Sequence, residues 1–297
     1  MGKASKDKRD IYYRKAKEEG WRARSAYKLL QLDDVYHFLD GVDRVVDLCA
    51  APGSWSQVLS RRLYLPAVKA GSTPPPVIVA IDLQPMAPIA GVTQLQGDIT
   101  SAATAAGVVA AFEGRPAQLV VCDGAPDVTG LHDLDEYVQE QLLLAALAIA
   151  AAVLQPGGGF VAKIFRGRDA ALLTAQLRCL FRGVEVAKPR SSRNSSIEAF
   201  VVCRDFAPPP GFDPTCLQAL LEAGAAEYEA AGDSLAVRQL VPFMACGDLS
   251  GWDADRSYDL PSQGAAGYTP LQPVQPPTAP AYKAAIALSR TGGSRAR

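Results

Sequence analysis

Histidine is scarce in this sequence, which contains only His37 and His132 among its 297 residues. Two histidines argue against a histidine-based catalytic triad and against a metal site built from several imidazoles. The six cysteines are scattered and no two are spaced as C-x-x-C, so zinc-binding and redox motifs of that spacing are missing. We expect no bound metal, and we expect most cysteines to be small core residues of a protein in a reduced compartment.

Long apolar runs are also missing. The nearest candidate, LLLAALAIAAAV at 142–153, has the length of a buried helix rather than of a membrane span. The N-terminus has no signal-peptide core, and its acidic residues argue against a transit peptide. The sequence therefore predicts a cytoplasmic protein, with a nuclear pool as an alternative, and no membrane partner.

Charge is distributed unevenly along the chain. The net charge is −1, yet residues 1–28 contain ten Lys or Arg against four Asp or Glu, with Tyr12, Tyr13, Trp21 and Tyr27 between them. Cations interleaved with aromatic rings suit RNA phosphates and unpaired bases. The alternative is a solvated basic helix whose aromatic rings pack on the core, and this segment alone does not decide between the two.

From residue 44 onward, apolar strand-like segments alternate with helix-like ones, which indicates a mostly parallel sheet covered on both faces. The last two predicted strands leave no room for a helix between them, which indicates an antiparallel pair at the edge. The fold class is therefore α/β, with a seven-stranded sheet. The predicted strands are 44–50, 77–83, 92–98, 117–123, 159–165, 184–188 and 197–203, and the predicted helices are 25–39 (capped by Ser25), 54–63, 101–112, 134–154 and 169–181.

The composition changes at Pro208, because eleven of the 22 prolines lie beyond residue 207. We predict a catalytic-type domain with a basic N-terminal helical segment at 1–206 and a Pro-rich, partly ordered extension at 207–297, which includes one helix at about 214–230. The segment LVPFMACGDLSGWDADRSY in that extension is expected either to dock a partner or to pack back on its own domain.

The first predicted strand runs into DLCAAPGSWSQ (47–57), a strand, tight turn and helix start of the kind that holds a nucleotide. A dinucleotide site requires G-x-G-x-x-G, but here only Gly53 is present. Asp47 at the strand end would repel a pyrophosphate and would suit a cationic ligand. S-adenosylmethionine fits these requirements, because it carries a sulfonium, an ammonium and an adenosine without phosphates.

Aspartates also follow the next three strands. Asp82 is expected to accept hydrogen bonds from ribose hydroxyls, Asp98 to lie within reach of the adenine amino group, and Asp123 to lie near the methyl group. Four acids at four successive strand ends form a more specific pattern than any one of them alone. We expect Trp55, directly after the turn, to shape the methionine end of the site with its backbone and ring.

Four segments, DLCAAPGSWSQ, GDIT, DGAPD and FVAKIFRG, together resemble the FtsJ (RrmJ-like) RNA ribose 2′-O-methyltransferases over residues 5–206. The N-terminal segment SKDKRDIYYRKAKEEGWRARSAYKLLQLD and the segment KPRSSRNSSIEAF are similar to the eukaryotic branch that modifies tRNA anticodon loops. The resemblance implies the Rossmann-like class I methyltransferase fold, S-adenosylmethionine as cofactor and transfer of its methyl group to ribose 2′-hydroxyls of tRNA, including the wobble nucleotide. It also implies separate accessory proteins that select the nucleotide, one of them a β-propeller.

The resemblance also implies the site residues. The family's catalytic Lys-Asp-Lys-Glu tetrad corresponds to Lys28, Asp123, Lys163 and Glu198. The family's cofactor contacts correspond to Gly53, Trp55, Asp82, Asp98 and Asp123.

Glu198 and Lys163 are ionisable residues within apolar strands. Burying an unpaired carboxylate is costly, so Glu198 is expected to face Lys28 and Lys163 across a cleft. Lys163 is expected to contact the 2′-hydroxyl, and the sequence leaves open whether it removes the proton or orients the oxygen as an ammonium. An arginine rim is expected to bind RNA phosphates; its members are Arg22, Arg24, Arg166, Arg168, Arg190 and Arg193.

Three other functions remain open. The chain could methylate rRNA or another RNA on the same fold, could be a catalytically silent RNA-binding scaffold, or could methylate a small molecule. The intact tetrad argues against the scaffold, and the basic aromatic N-terminus argues against a small-molecule substrate.

Overall fold

The computed structural model describes residues 11–126, 132–167, 170–215 and 217. Within them the chain forms a seven-stranded sheet with helices on both faces. The strands are β1 Arg44–Leu48, β2 Val77–Asp82, β3 Val92–Gln96, β4 Ala117–Cys122, β5 Leu154–Phe165, β6 Phe181–Ala187 and β7 Glu198–Phe206. The helices are α1 Ile11–Glu18, α2 Ala26–Tyr36, α3 Ser54–Leu59, α4 Leu65–Lys69, α5 Ala102–Ala111, α6 His132–Val153 and α7 Ala170–Leu177.

The strand order is β3-β2-β1-β4-β5-β7-β6. The first five strands run parallel, and β7 runs antiparallel to both β5 and β6. The predicted mixed sheet is thus confirmed, with the antiparallel strand one position in from the edge. Because chain order reverses between β1 and β4, their carboxyl ends open a crevice where such sheets bind ligands.

Alternate residues of each strand pack on opposite faces of the sheet. On one face, Val46 and Val120 pack against α5 and α6; on the other, Val45 and Val121 pack against α2 and α3. The apolar run predicted as a buried helix forms the second half of α6, with Ile149 1% exposed. By length and composition α6 could also cross a membrane, but its packing on the sheet already accounts for its apolar residues.

Three local predictions differ from the structure. The helix predicted at 54–63 continues through a π-helical turn at Ser60–Tyr64 into α4, so the chain stays helical as far as Lys69. β5 begins at Leu154, before the glycines, because Ala117 of β4 pairs with Leu154. Ser25 does not cap α2 through its side chain; its Oγ lies 2.5 Å from Ser54 Oγ.

β7 ends at Phe206, the predicted end of the domain, yet the chain beyond it still packs on the core. Leu217 is fully buried and Phe212 packs against the same cluster. The helix predicted at about 214–230 lies largely outside the described residues. The rest of the Pro-rich extension, including its LVPFMACGDLSGWDADRSY segment, also lies outside the described residues, so the role of that segment stays a prediction.

Candidate active site

The turn between β1 and α3 is built around one glycine. Gly53 has φ +102°, a conformation that favours glycine. A Cβ at this position would lie 2.6 Å from Nη1 of Arg22 and 2.9 Å from Cδ1 of Ile89. The turn therefore leaves no room for a side chain at Gly53, which is itself buried.

Asp82 ties the end of β2 to this turn. Its Oδ2 accepts a hydrogen bond from the backbone N–H of Ala51 at 2.8 Å, and its Oδ1 accepts one from Gln84 at 2.8 Å. Asp98 is exposed, and its Oδ1 accepts hydrogen bonds from the backbone N–H and the hydroxyl of Thr100. Both carboxylates are thus held in place at the carboxyl edge of the sheet.

Asp47 differs from the expectation that it would meet a cationic ligand. It is 1% exposed beneath the turn, and its Oδ2 accepts a hydrogen bond from Ser56 Oγ at 2.5 Å. Burial raises the pKa of its carboxyl to about 7; the Ser56 hydrogen bond opposes this shift, and the charges of Asp123 and Asp82 add to it. The carboxylates at these strand ends therefore create a negative electrostatic potential that Asp47 experiences.

Trp55 needs a similar correction. Its side chain packs against Phe200, with ring centroids 5.7 Å apart, and its Nε1 donates a hydrogen bond to the carbonyl of Ser25 at 2.9 Å. The residue is only 2% exposed. The ring is therefore a core group that fixes α3 against α2.

These observations fit S-adenosylmethionine. The glycine turn cannot hold a side chain, carboxylates are fixed at the ends of β2 and beyond β3, and negative potential at the strand ends favours a ligand with a positive charge. Gly53, Asp82, Asp98 and Asp123 are the residues that would hold it, with the buried Trp55 packed behind the turn.

Four ionisable side chains converge beside this turn, each from a different element. Lys28 comes from α2, Asp123 directly follows β4, Lys163 lies in β5 and Glu198 begins β7. Lys163 is paired with Phe200 in the antiparallel ladder, two residues beyond Glu198. Because side chains alternate along a strand, Lys163 and Glu198 lie on the same face of the sheet, the face covered by α2.

The four groups form a closed ring of ion pairs. Nζ of Lys28 lies 2.7 Å from Oε2 of Glu198 and 3.6 Å from Oδ1 of Asp123. Nζ of Lys163 lies 2.7 Å from Oδ1 of Asp123 and 3.7 Å from Oε2 of Glu198. All four side chains are only 7–14% exposed, so each charge depends on the others for compensation.

This ring sets the protonation states. Burial by itself lowers the pKa of the Lys163 ammonium, but the negative charges of Asp123 and Glu198 outweigh burial and raise it above its ordinary value. Burial raises the pKa of Glu198, but Lys28, Lys163 and the hydrogen bond from Ser192 outweigh it and lower that pKa. At neutral pH the site therefore contains a Lys163 ammonium and a Glu198 carboxylate.

Comparison with known proteins agrees with this geometry. Residues 21–206 match the model of the FtsJ-like methyltransferase family. The chain belongs to the FtsJ-like methyltransferases. A human tRNA (cytidine(32)/guanosine(34)-2′-O)-methyltransferase is 58% identical over 98% of this chain and 86% of its own length.

Two further comparisons show how far the sequence and structural similarity extends along the chain. The Schizosaccharomyces pombe tRNA (cytidine(32)/guanosine(34)-2′-O)-methyltransferase is 56% identical over 98% of this chain and 99% of its own length. A crystal structure described as a ribosomal RNA methyltransferase from Plasmodium falciparum is 25% identical, covers 64% of this chain and all of its own, and superposes with a TM-score of 0.55.

Two residues of this FtsJ-like site were missed in the sequence. Gln139 of α6 is 3% exposed, and its Nε2 donates hydrogen bonds to the carbonyls of Gly124 and Lys163 at 3.2 and 3.1 Å. Ser192 is 4% exposed, and its hydroxyl donates a hydrogen bond to Oε1 of Glu198 at 2.7 Å. A glutamine before a long apolar helical run is a signal for Gln139, whereas nothing distinguishes Ser192 among the serines of 191–196.

Five of the six arginines of the predicted RNA-binding rim lie among the described residues, and two of them, Arg22 and Arg24, bind backbone carbonyls. Arg22 donates hydrogen bonds to the carbonyls of Pro52 and Pro88, both at 3.0 Å, and thereby braces the cofactor turn. Arg24 donates a hydrogen bond to the carbonyl of Ser191. Arg166, Arg190 and Arg193 are exposed, and Arg168 lies outside the described residues.

Among the N-terminal aromatic residues, Tyr27 is buried and its ring centroid lies 5.3 Å from that of Tyr12. The guanidinium of Arg61 stacks 4.0 Å above the ring of Trp21. For Tyr27 and Trp21 the structure therefore favours packing over base stacking.

Proposed function

We propose that this protein transfers a methyl group from S-adenosylmethionine to ribose 2′-hydroxyls in the anticodon loop of tRNA, at positions that include the wobble nucleotide. One observation carries the proposal: the buried Lys28–Asp123–Lys163–Glu198 ring lies beside the glycine turn of an FtsJ-like fold. The close relatives are named for 2′-O-methylation of tRNA nucleotides 32 and 34, and the likeness extends over nearly the whole chain.

The ring is suited to aligning a hydroxyl. S-adenosylmethionine, when bound, supplies an electrophilic methyl group. Holding the ribose oxygen in line with that methyl can contribute roughly 7–11 kcal/mol to lowering the barrier. Because Lys163 is an ammonium, it donates rather than accepts a hydrogen bond, and its role is to orient a lone pair of the 2′-oxygen.

The hydroxyl proton must leave as the oxygen gains the methyl group. Each of the two ammonium nitrogens lies 2.7–3.7 Å from an oxygen of each of the two carboxylates. An ammonium cannot accept a proton, so within this set only the carboxylates of Asp123 and Glu198 can receive it.

The substrate can be tested directly. Purified protein is incubated with S-adenosylmethionine and either tRNA or an rRNA fragment, and the nucleosides are measured by mass spectrometry. Methylation at tRNA nucleotides 32 or 34 is expected. Methylation of rRNA alone would favour the rRNA alternative. An S. pombe rRNA methyltransferase that is 42% identical over 71% of this chain is similar to it over only 25% of its own length. Binding of S-adenosylmethionine without transfer to either RNA would favour the scaffold.

We also propose that accessory proteins, one of them a β-propeller, select the nucleotide and dock on residues 240–258. The support is the apolar, aromatic composition of that segment within a Pro-rich extension. A truncation after residue 217 keeps the buried Leu217. It is expected to lose co-purification of the accessory subunit while still binding S-adenosylmethionine, and retained co-purification would place the docking surface on the domain.

A cytoplasmic location is part of the proposal, since translation uses tRNA there. Imaging of the full chain fused to a fluorescent protein tests it, and exclusive nuclear signal would contradict it.

A further inference from the structure

The two oxygens of the Glu198 carboxylate have different partners. Oε2 lies 2.7 Å from Nζ of Lys28 and 3.7 Å from Nζ of Lys163. Oε1 accepts a hydrogen bond from the hydroxyl of Ser192 at 2.7 Å. Rotation about χ3, the last torsion of the glutamate side chain, decides which oxygen meets which partner. This torsion has a broad energy profile, so a hydrogen-bond partner is needed to fix it.

Ser192 is well suited to be that partner. It is 4% exposed, so little water competes for its hydroxyl. An ionised carboxylate can only accept hydrogen bonds, so the hydroxyl must donate. Hydrogen bonds to a charged acceptor are shorter and stronger than neutral ones.

The loop that carries Ser192 is itself attached to α2. The backbone N–H of Ser191 donates a hydrogen bond to Oε1 of Gln31 at 2.9 Å, and its carbonyl accepts one from Arg24. Gln31 lies three residues after Lys28, which places the two side chains on the same face of the helix. The same helix face therefore holds both the cation that binds Oε2 and the loop that binds Oε1.

We propose that Ser192 is a positioning residue for methyl transfer: its hydroxyl holds the Glu198 carboxylate in the orientation that places Oε2 between Lys28 and Lys163. This inference rests on the proposed function, because Glu198 matters to the rate only through the tetrad. Without the hydroxyl, Oε1 loses its donor and the carboxylate is free to turn. The two ammonium groups then lose a fixed counter-charge, and the alignment of the 2′-oxygen becomes less defined.

The test compares Ser192→Ala with Ser192→Thr, which keeps the hydroxyl, and with Ser195→Ala, which removes an exposed hydroxyl from the same loop. Single-turnover methylation of tRNA is measured between pH 5 and 9, together with S-adenosylmethionine affinity by calorimetry. We expect Ser192→Ala to be about 10-fold slower with an unchanged cofactor Kd, since hydrogen bonds to charged groups are among the stronger ones. Ser192→Thr is expected to restore most of the rate, and Ser195→Ala to match the wild type.

The pH profile separates positioning from general structural damage. The Ser192 hydrogen bond is one of the interactions that lower the pKa of Glu198, so its loss should move the acid limb of the profile to higher pH. A Ser192→Ala variant with a wild-type rate and profile would overturn the inference. So would a Ser192→Thr variant as slow as Ser192→Ala, with the acid limb of both unmoved.

Two further measurements keep the test decisive. If Ser192→Ala does not fold, Ser192→Cys replaces the hydroxyl with a weaker donor and is expected to show a smaller loss of the same kind. If the wild type methylates no tRNA, the proposed function fails. The carboxyl ¹³C titration of Glu198 then tests the contact alone: a pKa that Ser192→Ala leaves unchanged would overturn the positioning role.

Discussion

The ammonium of Lys163 lies 2.7 Å from the carboxylate Oδ1 of Asp123 and 2.7 Å from the main-chain carbonyl oxygen of that same residue. Both contacts join the end of β4 to the middle of β5, just beyond the last paired residues, Cys122 and Ala162. Lys163 therefore has a charge partner and a backbone partner on the loop that borders the cofactor turn. Replacing it changes the chemistry of the tetrad without touching Gly53 or Asp82.

Lys163→Met keeps most of the side-chain volume and removes the ammonium. We expect methyl transfer to fall by roughly 10²–10⁴-fold, because general acid–base and orienting groups contribute on that scale. Affinity for S-adenosylmethionine is expected to stay within a few-fold, since Lys163 is not among the residues assigned to the cofactor. Transfer of a labelled methyl group to tRNA and calorimetry measure the two quantities.

Lys69→Met removes an exposed ammonium from α4 and serves as the matched control. Near-normal methylation by Lys163→Met would remove Lys163 from the catalytic set.

Gly53→Ala tests whether the turn needs a glycine. The added methyl group would meet Nη1 of Arg22 at 2.6 Å and Cδ1 of Ile89 at 2.9 Å in a backbone conformation with φ +102°. We expect cofactor affinity to drop at least 10-fold and stability to fall by about 1–3 kcal/mol, from strain and displaced neighbours.

Gly114 also has positive φ, yet a Cβ there meets nothing within 4 Å. Gly114→Ala is therefore expected to cost only about 1–2 kcal/mol of backbone strain and to leave cofactor binding intact. Equal cofactor affinities for the two variants would mean that crowding at the turn is unimportant.

Asp47→Asn should change how stability depends on pH. The native protein holds the Asp47 carboxyl at a pKa of about 7, whereas the unfolded chain holds it near 3.8. The native state binds the proton more tightly, so this group favours folding at low pH and loses that contribution as pH rises through about 7. The free energy of unfolding of Asp47→Asn minus that of the wild type is therefore expected to be larger at pH 8 than at low pH, by up to about 4 kcal/mol.

Urea denaturation of both proteins at several pH values measures this, with Asp40→Asn as an exposed control. A stability difference between Asp47→Asn and the wild type that is flat from pH 4 to 8 would show that Asp47 ionises without penalty.

Arg190→Gln tests the RNA rim at an exposed member. For each phosphate that the protein no longer neutralises, the slope of log affinity against log salt is expected to become shallower by about 0.7–0.9. Binding of tRNA is measured by fluorescence anisotropy between about 50 and 300 mM salt. Arg115→Gln, an exposed arginine just before β4 at the opposite edge of the sheet, should leave the slope unchanged. A wild-type slope near zero would contradict the rim as a whole.

The strands and the acidic residues that follow them could be predicted from the sequence. Apolar strands and the acids after them follow from local pattern, since residues at the carboxyl ends of parallel strands must meet at one edge. The sequence motifs also singled out Lys28 and Glu198, and the structure places their side chains 2.7 Å apart although 170 residues separate them.

Only the tertiary structure decided which face each side chain occupies and which distant partner it meets. Trp55 and Asp47 lie in nucleotide-binding sequence, yet packing of α3 against α2 and the sheet buries both side chains. Ser192 became part of the site because Arg24 and Gln31, about 160 residues earlier, hold its loop against α2. The sequence by itself determined the kind of chemistry, because that chemistry lies in short motifs. Burial and hydrogen-bond partners depend on contacts between segments far apart in the chain, and these exist only once the sheet and its helices are assembled.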